Sequence, residues 1–512
     1  MQRWRELAGG VASSGAAGTV VIHAPWTGQV LAELALSSPQ DVVQAVDRAQ
    51  GAQRDWAARP VRERAGVLLR LHDLLLRRQG EVLDLIQLET GKARTHAFDE
   101  VAHVALVARW YARRGPGVLA EGRHAGLVPG LTQVREVHHP RGVVGVIAPW
   151  NYPLSLGIGD VLPALLAGNA VIVKPDQKTT LTALWAAQLL REAGLPDGAL
   201  QVVAGDGPGI GGALVDAVDY VCFTGSTAVG RQVAQRAGGR LIGCSLELGG
   251  KNALYVSADA PLDRAAEAAV RDSFANAGQL CVSTERLVLH ADIAEAFLDR
   301  FLGRVRRLRL GAALDHSADL GCLISTEHLA RVARHVDDAV ERGARVLAGG
   351  RARPDLGPTF YEPTVLADVP PGALCAAQET FGPVISVQVV PDDEAAVAVM
   401  NSGDYGLTAS IWTGEAARGA RLARRIATGT VAVNETYSVV FGSPATTMGG
   451  RRASGLGRRH GAAGVLRFTE PQSVVAQRLV GMGPLYGRGG ENLAAVFTRA
   501  LQVARAARLP WP

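Results

Sequence analysis

The sequence predicts an α/β protein with a doubly wound parallel sheet. Between residues 140 and 250, short apolar runs typical of buried strands alternate with runs typical of helices. Examples are the strand-like AVIVKP before the helix-like LTALWAAQLLREAG, and the strand-like DYVCFTGS before the helix-like TAVGRQVAQRAG. After residue 250 the alternation restarts with RLVLH and IAEAFLDRFLGRVRRL. The chain has 512 residues, which is enough for two or three domains.

Other segments predict single elements. Residues 40–120 place apolar side chains three and four positions apart, which predicts helices. Residues 131–148 alternate and then become apolar, which predicts strands. A further helix is predicted over residues 262–278. The tail contains LAAVFTRALQVARAARL, which predicts a helix packed on the protein or on a partner subunit; docking on a membrane surface is the alternative.

Composition and charge argue against several classes of protein. The net charge is +5, and arginines are interspersed with acids, so no nucleic-acid partner is predicted. The five cysteines form no CxxC pair, which argues against a disulfide framework and favours the cytoplasm. The first residues lack the apolar stretch of a signal peptide. Residues 142–159 are uncharged but contain prolines and glycines, so a loop between buried strands is predicted there, and no membrane span.

A single cysteine, Cys281, lies in the stretch FANAGQLCVS. A lone cysteine is more often a buried core residue than a catalytic one. A thiol that attacks a carbonyl needs hydrogen-bond donors for the oxyanion and a base that later activates water. It also needs an electron acceptor if the product is oxidised. The sequence contains a candidate for each requirement, and none for a metal site.

Two polar residues are candidates for the first two requirements. Asn151 in APWNYP, together with the backbone N–H of Cys281, is the candidate oxyanion donor; a residue of an Asx turn is the alternative. Glu247 in LELGGK is the candidate base, because burial at a strand end would raise its pKa toward neutrality. The alternative for Glu247 is a carboxylate paired with Lys251.

Two motifs are candidates for binding a cofactor. In FTGSTAVG, Gly225 and Gly230 bracket a turn from strand to helix, which can present N–H groups to a phosphate. Many such turns need glycine, so this motif is weak evidence by itself. Lys174 ends the buried strand of VIVKPD, where a cation could reach ribose hydroxyls or a phosphate. The chain has 53 basic residues, but its only lysines are at positions 92, 174, 178 and 251. These few are candidates for tasks that the planar guanidinium of arginine performs badly.

Together these segments resemble the aldehyde dehydrogenase superfamily. The match runs through LETGK, APWNYP, KPDQ, FTGSTAVG, LELGGK, GQLC, ETFGPV, NSGDYGL and SGLGRRHG, and Glu247 and Cys281 are 34 positions apart, like the family's base and nucleophile. VRDSFANAGQLC, HVDDAVERGARVLAGGRARPDLGPTFYEPTV and GRRHG are similar to the actinobacterial branch of NADP-dependent succinate-semialdehyde dehydrogenases. The resemblance implies NAD(P)-dependent oxidation of an aldehyde to a carboxylic acid.

The resemblance implies a role for each candidate residue. Cys281 attacks the aldehyde, and Asn151 binds the oxyanion of the resulting thiohemiacetal. Hydride transfer leaves a thioester, which water activated by Glu247 hydrolyses. The residues implied in cofactor binding are Trp150, Lys174, Gln177, Gly225, Ser226, Glu379 and Phe381. Of these, Glu379 and Phe381 resemble the pair that holds the nicotinamide ribose and ring.

The identity of Gln177 bears on the choice of cofactor. Strictly NAD-using relatives usually place a glutamate three residues after the lysine of this motif. Here that position is Gln177, followed by Lys178, so no carboxylate repels the 2′-phosphate of NADP. NADP is therefore expected to be accepted and preferred, with NAD as a usable second cofactor.

The predicted substrate pocket departs from the branch that the chain resembles. Gly159 and Ala275 stand where well-known succinate-semialdehyde dehydrogenases supply two arginines. With Tyr152, Leu280 and Val282, and with the neighbouring Leu156 and Met448, they predict a wide and mostly apolar tunnel. Arg109 and Arg113 could still supply acid recognition. The branch implies succinate semialdehyde as substrate, and broad specificity for medium-chain or aromatic aldehydes is the alternative.

The resemblance also implies a domain organisation. An NAD(P)-binding domain is predicted over residues 1–121 and 141–249, and a catalytic domain over residues 250–453. An oligomerisation arm over residues 122–140 and 468–480 implies a homodimer or homotetramer, and residues 481–512 form a tail.

For the function, a noncatalytic relative is the alternative of another class. A CoA-acylating enzyme is also considered, but such relatives generally lack the glutamate base.

Overall fold

The computed structural model describes residues 2–126, 132–437, 442–477 and 490–508. Their helices are, in chain order, α1 (Gln2–Ala8), α2 (Pro39–Ala58), α3 (Val61–Arg77), α4 (Gln79–Thr90), α5 (Arg94–Val118), α6 (Pro153–Ile158), α7 (Val161–Leu166), α8 (Thr180–Glu192), α9 (Gly212–Ala217), α10 (Thr227–Gly239), α11 (Leu262–Phe274), α12 (Ala294–Val305), α13 (Thr326–Glu341), α14 (Leu374–Ala377), α15 (Asp393–Met400), α16 (Ala416–Ala423), α17 (Gly461–Leu466) and α18 (Gly490–Ala506). The last of these confirms the helix predicted in the tail.

The strands of the described residues form two large sheets and several small ones. They are β1 (Thr19–His23), β2 (Val30–Ala35), β3 (Gly122–His124), β4 (Thr132–Pro140), β5 (Val143–Ile147), β6 (Ala170–Lys174), β7 (Leu200–Val202), β8 (Tyr220–Thr224), β9 (Gly243–Glu247), β10 (Asn252–Val256), β11 (Thr284–His290), β12 (Arg345–Ala348), β13 (Thr364–Ala367), β14 (Val384–Val390), β15 (Tyr405–Gly406), β16 (Thr408–Trp412), β17 (Thr430–Val433), β18 (Arg451–Arg452), β19 (Gly455–Leu456) and β20 (Thr469–Gln477).

The first large sheet has the strand order β19-β9-β8-β5-β6-β7. Its strands are parallel except β19, which pairs antiparallel with β9 at one edge. β5, β6 and β8 are buried along their whole length, as expected for a sheet covered by helices on both faces. Parallel strands end at the same edge of a sheet, so the segments that follow β5, β6, β8 and β9 come together there.

The second large sheet has the order β12-β13-β14-β11-β10-β16-β17, with only β12 antiparallel to its neighbour. Cys281 lies three residues before β11, and Phe381 lies three residues before β14. The amino ends of these two central strands therefore carry the cysteine loop and the ETFGP segment. The two sheets confirm the predicted α/β fold.

A third, antiparallel sheet has the order β20-β4-β3. It joins the two segments predicted to form an oligomerisation arm, although residues 127–131 and 478–480 of that prediction lie outside the described residues. Nearly all of β20 is exposed. The predicted domain boundaries stay predictions, as does the role of the tail, whose residues 481–489 and 509–512 also lie outside the description.

One predicted element was too long. The helix expected over residues 262–278 ends at Phe274, because Asn276, Ala277 and Gly278 have positive φ angles of 51°, 54° and 69°. A left-handed backbone cannot continue a right-handed helix. Residues 142–159 are divided among β5, a loop and α6, and no helix within the described ranges is long and apolar enough to cross a membrane.

Candidate active site

Cys281 lies in the loop between α11 and β11, just after three consecutive left-handed residues. Such conformations are costly for residues with a side chain, so the surrounding structure must hold them in place. Gly278 tolerates its position only because it lacks a Cβ, which would lie 2.0 Å from the carbonyl oxygen of Gly382. The result is a tightly fixed loop that leaves Cys281 partly exposed.

Cys281 opens onto a cavity of about 240 Å³. The cavity is lined by Pro149, Trp150, Asn151, Leu156, Thr224, Gly225, Ser226, Glu247, Leu248, Gly249, Cys281, His328, Arg331, Glu379 and Phe381. The structure thus brings the predicted nucleophile, base and oxyanion donor to one cavity. Five of the predicted cofactor-binding residues line it as well.

Asn151 is held against the cysteine loop by its side chain. Its Nδ2 donates a hydrogen bond to the carbonyl of Gln279 at 3.0 Å, and Nδ2 of Asn276 donates to the Asn151 carbonyl at 3.1 Å. An Asx turn would instead use the Asn151 side chain within its own segment. One N–H of the Asn151 amide is used in this bond. The other is available to a negatively charged oxygen in the cavity.

Glu247 ends β9 and is 4% exposed. Its Oε1 has no hydrogen-bond partner among the described residues. Burial raises the pKa of Glu247 to about 7, with Arg459 as the main opposing charge. The alternative in which Glu247 pairs with Lys251 is wrong, because Lys251 Nζ lies 2.5 Å from Glu285 Oε2. Glu247 is therefore a buried, unpaired carboxyl group that titrates near neutral pH.

The thiol of Cys281 is protonated at neutral pH in this environment. Burial raises its pKa to about 12, and the negative charges of Glu379 and Glu247 act in the same direction. The Cys281 carbonyl accepts a hydrogen bond from Asn252 Nδ2 at 2.7 Å, which fixes the peptide that follows the nucleophile. The thiolate is the nucleophilic form of cysteine, and this site disfavours it. The reactivity of Cys281 therefore depends on removal of the thiol proton.

Contacts of Glu379 and of Phe381 fix the ETFGP segment, residues 379–383. Glu379 Oε1 accepts the N–H of Gly250 at 2.9 Å, and burial raises the pKa of Glu379 to about 8. A Cβ on Gly249 would lie 2.4 Å from Glu379 Oε2, so a larger residue there would displace the Glu379 carboxylate. Phe381 has a φ of 57°, and its ring stands perpendicular to that of Trp150 with centroids 5.6 Å apart.

Lys174 lies in a second cavity, of about 630 Å³, formed by the ends of β5, β6 and β8 and by α9 and α10. Its Nζ donates to the carbonyls of Pro175 and Gly205 at 3.2 and 3.1 Å. Ser226 is the N-cap residue just before α10, and its side chain accepts the N–H of Val229. Gln177 is partly exposed in a turn that follows β6, and it lines neither cavity.

These residues fit a dinucleotide cofactor. The amino end of α10 presents N–H groups beside the first cavity, as phosphate binding requires. The second cavity adds a buried cation at Lys174. Within the part of the chain that the structure describes, no group of three or more His, Cys, Asp or Glu could hold a metal ion.

Four of the five predicted substrate-pocket residues pack around Cys281. Tyr152, Ala275, Leu280 and Val282 form a buried apolar cluster with the thiol; its other members are Leu156, Leu407, Tyr437 and Met448. The place of Gly159 in the substrate pocket stays a prediction, since a glycine has no side chain to pack in this cluster. A Cβ on Gly159 would lie 2.6 Å from the carbonyl oxygen of Ser155, one turn earlier, and 3.4 Å from Cε1 of His103.

Several residues that shape the site were missed from the sequence. Asn276 and Asn252 hold the carbonyls of Asn151 and Cys281. Glu285 accepts the N–H groups of Thr380 and Phe381, and so fixes the ETFGP segment. Asn276, two residues before Gly278, is a signal that could have been used, because asparagine tolerates a left-handed backbone. Glu285 gave no such signal.

Known proteins share this architecture. Residues 11–474 match the aldehyde dehydrogenase family. A Mycolicibacterium smegmatis protein provisionally named succinate-semialdehyde dehydrogenase (NADP+) is 48% identical over 469 residues, which cover 92% of this chain and 91% of that protein. The mitochondrial succinate-semialdehyde dehydrogenase of Arabidopsis thaliana is 36% identical over 88% of this chain and 85% of its own length.

Solved structures agree with these matches. The NAD-dependent aldehyde dehydrogenase of Sinorhizobium meliloti superposes with a TM-score of 0.88 at 33% identity, covering 93% of this chain and 94% of that one. PnpE, solved in complex with nicotinamide adenine dinucleotide, superposes with a TM-score of 0.88 at 34% identity, covering 92% and 97%. The resemblance read from the sequence is confirmed: the chain belongs to the aldehyde dehydrogenase family.

Proposed function

We propose that Cys281, Glu247 and Asn151 carry out the oxidation of aldehydes to carboxylic acids in this chain. The family catalyses this NAD(P)-dependent reaction. The observation that carries the assignment of roles is that all three side chains line one cavity of about 240 Å³. Each has the property its role needs: a partly exposed thiol, an unpaired carboxyl group with a pKa of about 7, and a fixed amide donor.

In the first half of the reaction, Cys281 Sγ attacks the aldehyde carbon as the thiol proton passes to solvent water. The carbonyl oxygen becomes an oxyanion, which accepts hydrogen bonds from Asn151 Nδ2 and from the backbone N–H of Cys281. Donors fixed in advance stabilise such charge most effectively, because they need no rearrangement as it develops. The bonds from Asn151 to Gln279 and from Asn276 to Asn151 supply this rigidity.

The cofactor supplies the hydride acceptor, after which a thioester remains on Cys281. Glu247 then removes a proton from water as the water oxygen attacks the thioester carbon, and the carbon–sulfur bond breaks. A base with a pKa near the working pH is the most effective for this task. The residues proposed to hold the cofactor are Trp150, Gly225, Ser226, Glu379 and Phe381 at the first cavity, Lys174 at the second, and Gln177 in the turn that follows β6.

Water, rather than CoA, resolves the thioester in this proposal. The presence of Glu247 supports that choice, since an unpaired base in the cavity has no other task after acylation. For the cofactor, we propose NADP as the preferred species, with NAD as the second. The neutral Gln177 and the exposed Lys178 support this preference, as do the relatives named as NADP-dependent.

For the substrate, we propose uncharged medium-chain or aromatic aldehydes. The apolar cluster around Cys281 supports this class, because a buried carboxylate without a partner would be costly there. Arg331, the arginine among the cavity's lining residues, already donates to the carbonyl of Glu379. Succinate semialdehyde is the second candidate, and the names of the relatives favour it.

The test is kcat/KM for hexanal, benzaldehyde and succinate semialdehyde with NADP and with NAD, in one buffer. We expect hexanal or benzaldehyde to be used at least as efficiently as succinate semialdehyde. A preference for succinate semialdehyde above about a hundredfold, or about 2.7 kcal/mol, would mean a carboxylate anchor and overturn the substrate proposal. Reduction of neither cofactor by any aldehyde would favour a noncatalytic protein.

We also propose that the chain forms a cytoplasmic homodimer or homotetramer through the sheet of β3, β4 and β20. The exposed β20 supports this, because its apolar Val474 and Val475 are 44% and 61% exposed and it lies at an edge of the sheet. Light scattering of the purified protein would measure the mass, and a monomer would overturn the proposal.

A further inference from the structure

A buried ion pair lies directly behind the oxyanion donor. Lys92 Nζ is 2.6 Å from Glu100 Oε1 and donates at 2.6 Å to the carbonyl oxygen of Asn151. Both charged side chains are completely buried. The same ammonium group lies 3.9 Å from the ring centroid of Tyr152, a favourable cation–π contact. Lys92 thus contacts the backbone of Asn151 and the side chain that follows it.

The second oxygen of Glu100 holds the chain on the other side. Glu100 Oε2 accepts the N–H groups of Leu154 and Ser155 at 2.8 and 3.0 Å. These are orphan donors of the first turn of α6, and Tyr152, the N-cap residue just before that helix, provides no side-chain cap. One ion pair carried by the α4–α5 region therefore fixes the backbone on both sides of the Asn151–Tyr152 step.

Stability alone does not explain this pair. Burial lowers the pKa of Lys92 and raises the pKa of Glu100, so desolvation opposes both charges. Buried ion pairs are often no more stabilising than apolar side chains of similar size. The contacts that an apolar pair could not replace are those to the Asn151 carbonyl and to the two N–H groups of α6.

The contacts of the side chain at position 92 also explain why this residue is a lysine. A compact ammonium group can contact the Asn151 carbonyl, the Glu100 carboxylate and the face of the Tyr152 ring at once. The wider, planar guanidinium group would need space that a fully buried site does not have. The scarcity of lysine elsewhere in the sequence is consistent with a task that arginine cannot perform.

We propose that Lys92 and Glu100 are positioning residues, which set the reactivity of the site by aiming the side-chain amide of Asn151 at the oxyanion. The proposal depends on the proposed role of Asn151. Because the carbonyl of Asn151 is held by Lys92 and by Asn276, its peptide group cannot rotate without breaking both bonds. The direction of its Nδ2 is fixed in turn.

The test is a double-mutant cycle read by the single-turnover rate of cofactor reduction. Asn151→Ala is expected to lower this rate by about 100- to 1,000-fold, as for loss of one oxyanion donor. Lys92→Met should lower it by about 10- to 100-fold, because a misplaced catalytic group is nearly as costly as a missing one. In the double variant the losses should not multiply: its rate should lie within about threefold of that of Asn151→Ala.

Lys251→Met is the matched control. It removes the other buried lysine–glutamate pair, Lys251–Glu285, which holds the N–H groups of Thr380 and Phe381 instead of Asn151. Its loss should raise the KM for the cofactor, and its effect should multiply with that of Asn151→Ala. Glu100→Gln, which keeps the side-chain volume, is the second test variant and should behave like Lys92→Met.

The outcomes are distinguishable. If Asn151→Ala keeps the wild-type rate, the proposed role of Asn151 fails and this inference fails with it. If Asn151→Ala is impaired but folded Lys92→Met and Glu100→Gln keep rates within about threefold of wild type, or their losses multiply with it, only the inference fails. Failure of both variants to fold would assign the pair to stability and also overturn it.

Discussion

Two cavities lie at the edge where the strands of the first sheet end, and they differ in charge. The cavity at Cys281 is lined by Glu247 and Glu379, neither of which has an ion-pair partner among the described residues, and burial raises their pKa values to about 7 and about 8. The cavity at Lys174 has no acid among its lining residues. At one edge of the sheet, the cavity at Cys281 thus contains acids that titrate near neutral pH, and the cavity at Lys174 is suited to an anion.

The largest effect should come from removing the thiol. Cys281→Ala is expected to lower turnover more than about a thousandfold, because no other group in the first cavity can form the thioester. Cys244→Ala is the control, since Cys244 is also partly exposed but lies outside that cavity. Steady-state rates with hexanal measure both variants. Substantial turnover by Cys281→Ala would break the assignment of the first cavity to covalent chemistry.

The second effect concerns the stability cost of an unpaired acid. The pKa of Glu247 in the folded state, about 7, exceeds the ordinary value of 4.5 for a glutamate, so the folded protein binds the proton more tightly. Its contribution to stability therefore falls as pH rises between these values, by up to about 3 kcal/mol. Glu247→Gln removes this cost, and should be more stable than wild type at about pH 8 but gain little at about pH 5.

The paired Glu285 sharpens that contrast. Glu285→Gln leaves Lys251 buried without its partner, so this variant should be less stable than wild type at both pH values. Denaturant unfolding at the two pH values measures both variants. Equal changes at the two pH values for Glu247→Gln would show that Glu247 is not the unpaired group described here.

The smallest effect concerns the turn that follows β6. Gln177→Glu introduces a carboxylate three residues after Lys174. At an effective dielectric constant of about 20, its repulsion of a 2′-phosphate is worth about 2–4 kcal/mol before screening by salt. We expect kcat/KM for NADP to fall by at least about tenfold, with a much smaller change for NAD. An unchanged ratio would mean that this segment does not contact the 2′-phosphate.

The sequence predicted those parts of the site that depend on short motifs. Asn151, Lys174, Ser226 and Glu247 lie at one edge of the first sheet because each follows or ends a parallel strand, and strand ends are visible in a hydrophobic pattern. The partners of Lys251 and Lys92 were not predictable in this way. Glu285 and Glu100 become partners only through the packing of separate elements, and local periodicity does not encode it.

One error, the length of α11, has a similar origin. The end of α11 at Phe274 depends on left-handed residues held by the neighbouring ETFGP segment, so the helical pattern continues past the real helix. Gly159, assigned to the substrate pocket by its position relative to Asn151, stays a prediction. A Cβ at this position would point toward Ser155 and His103.

The central claim is that Cys281 forms a thioester which Glu247 hydrolyses. Rapid mixing of Glu247→Gln with aldehyde and NADP tests it most directly. We expect a fast burst of reduced cofactor, about one equivalent per site, followed by a much slower steady state, because acylation proceeds while hydrolysis is blocked. A variant in which the first turnover is slowed as much as the later ones, with no burst, would contradict the account.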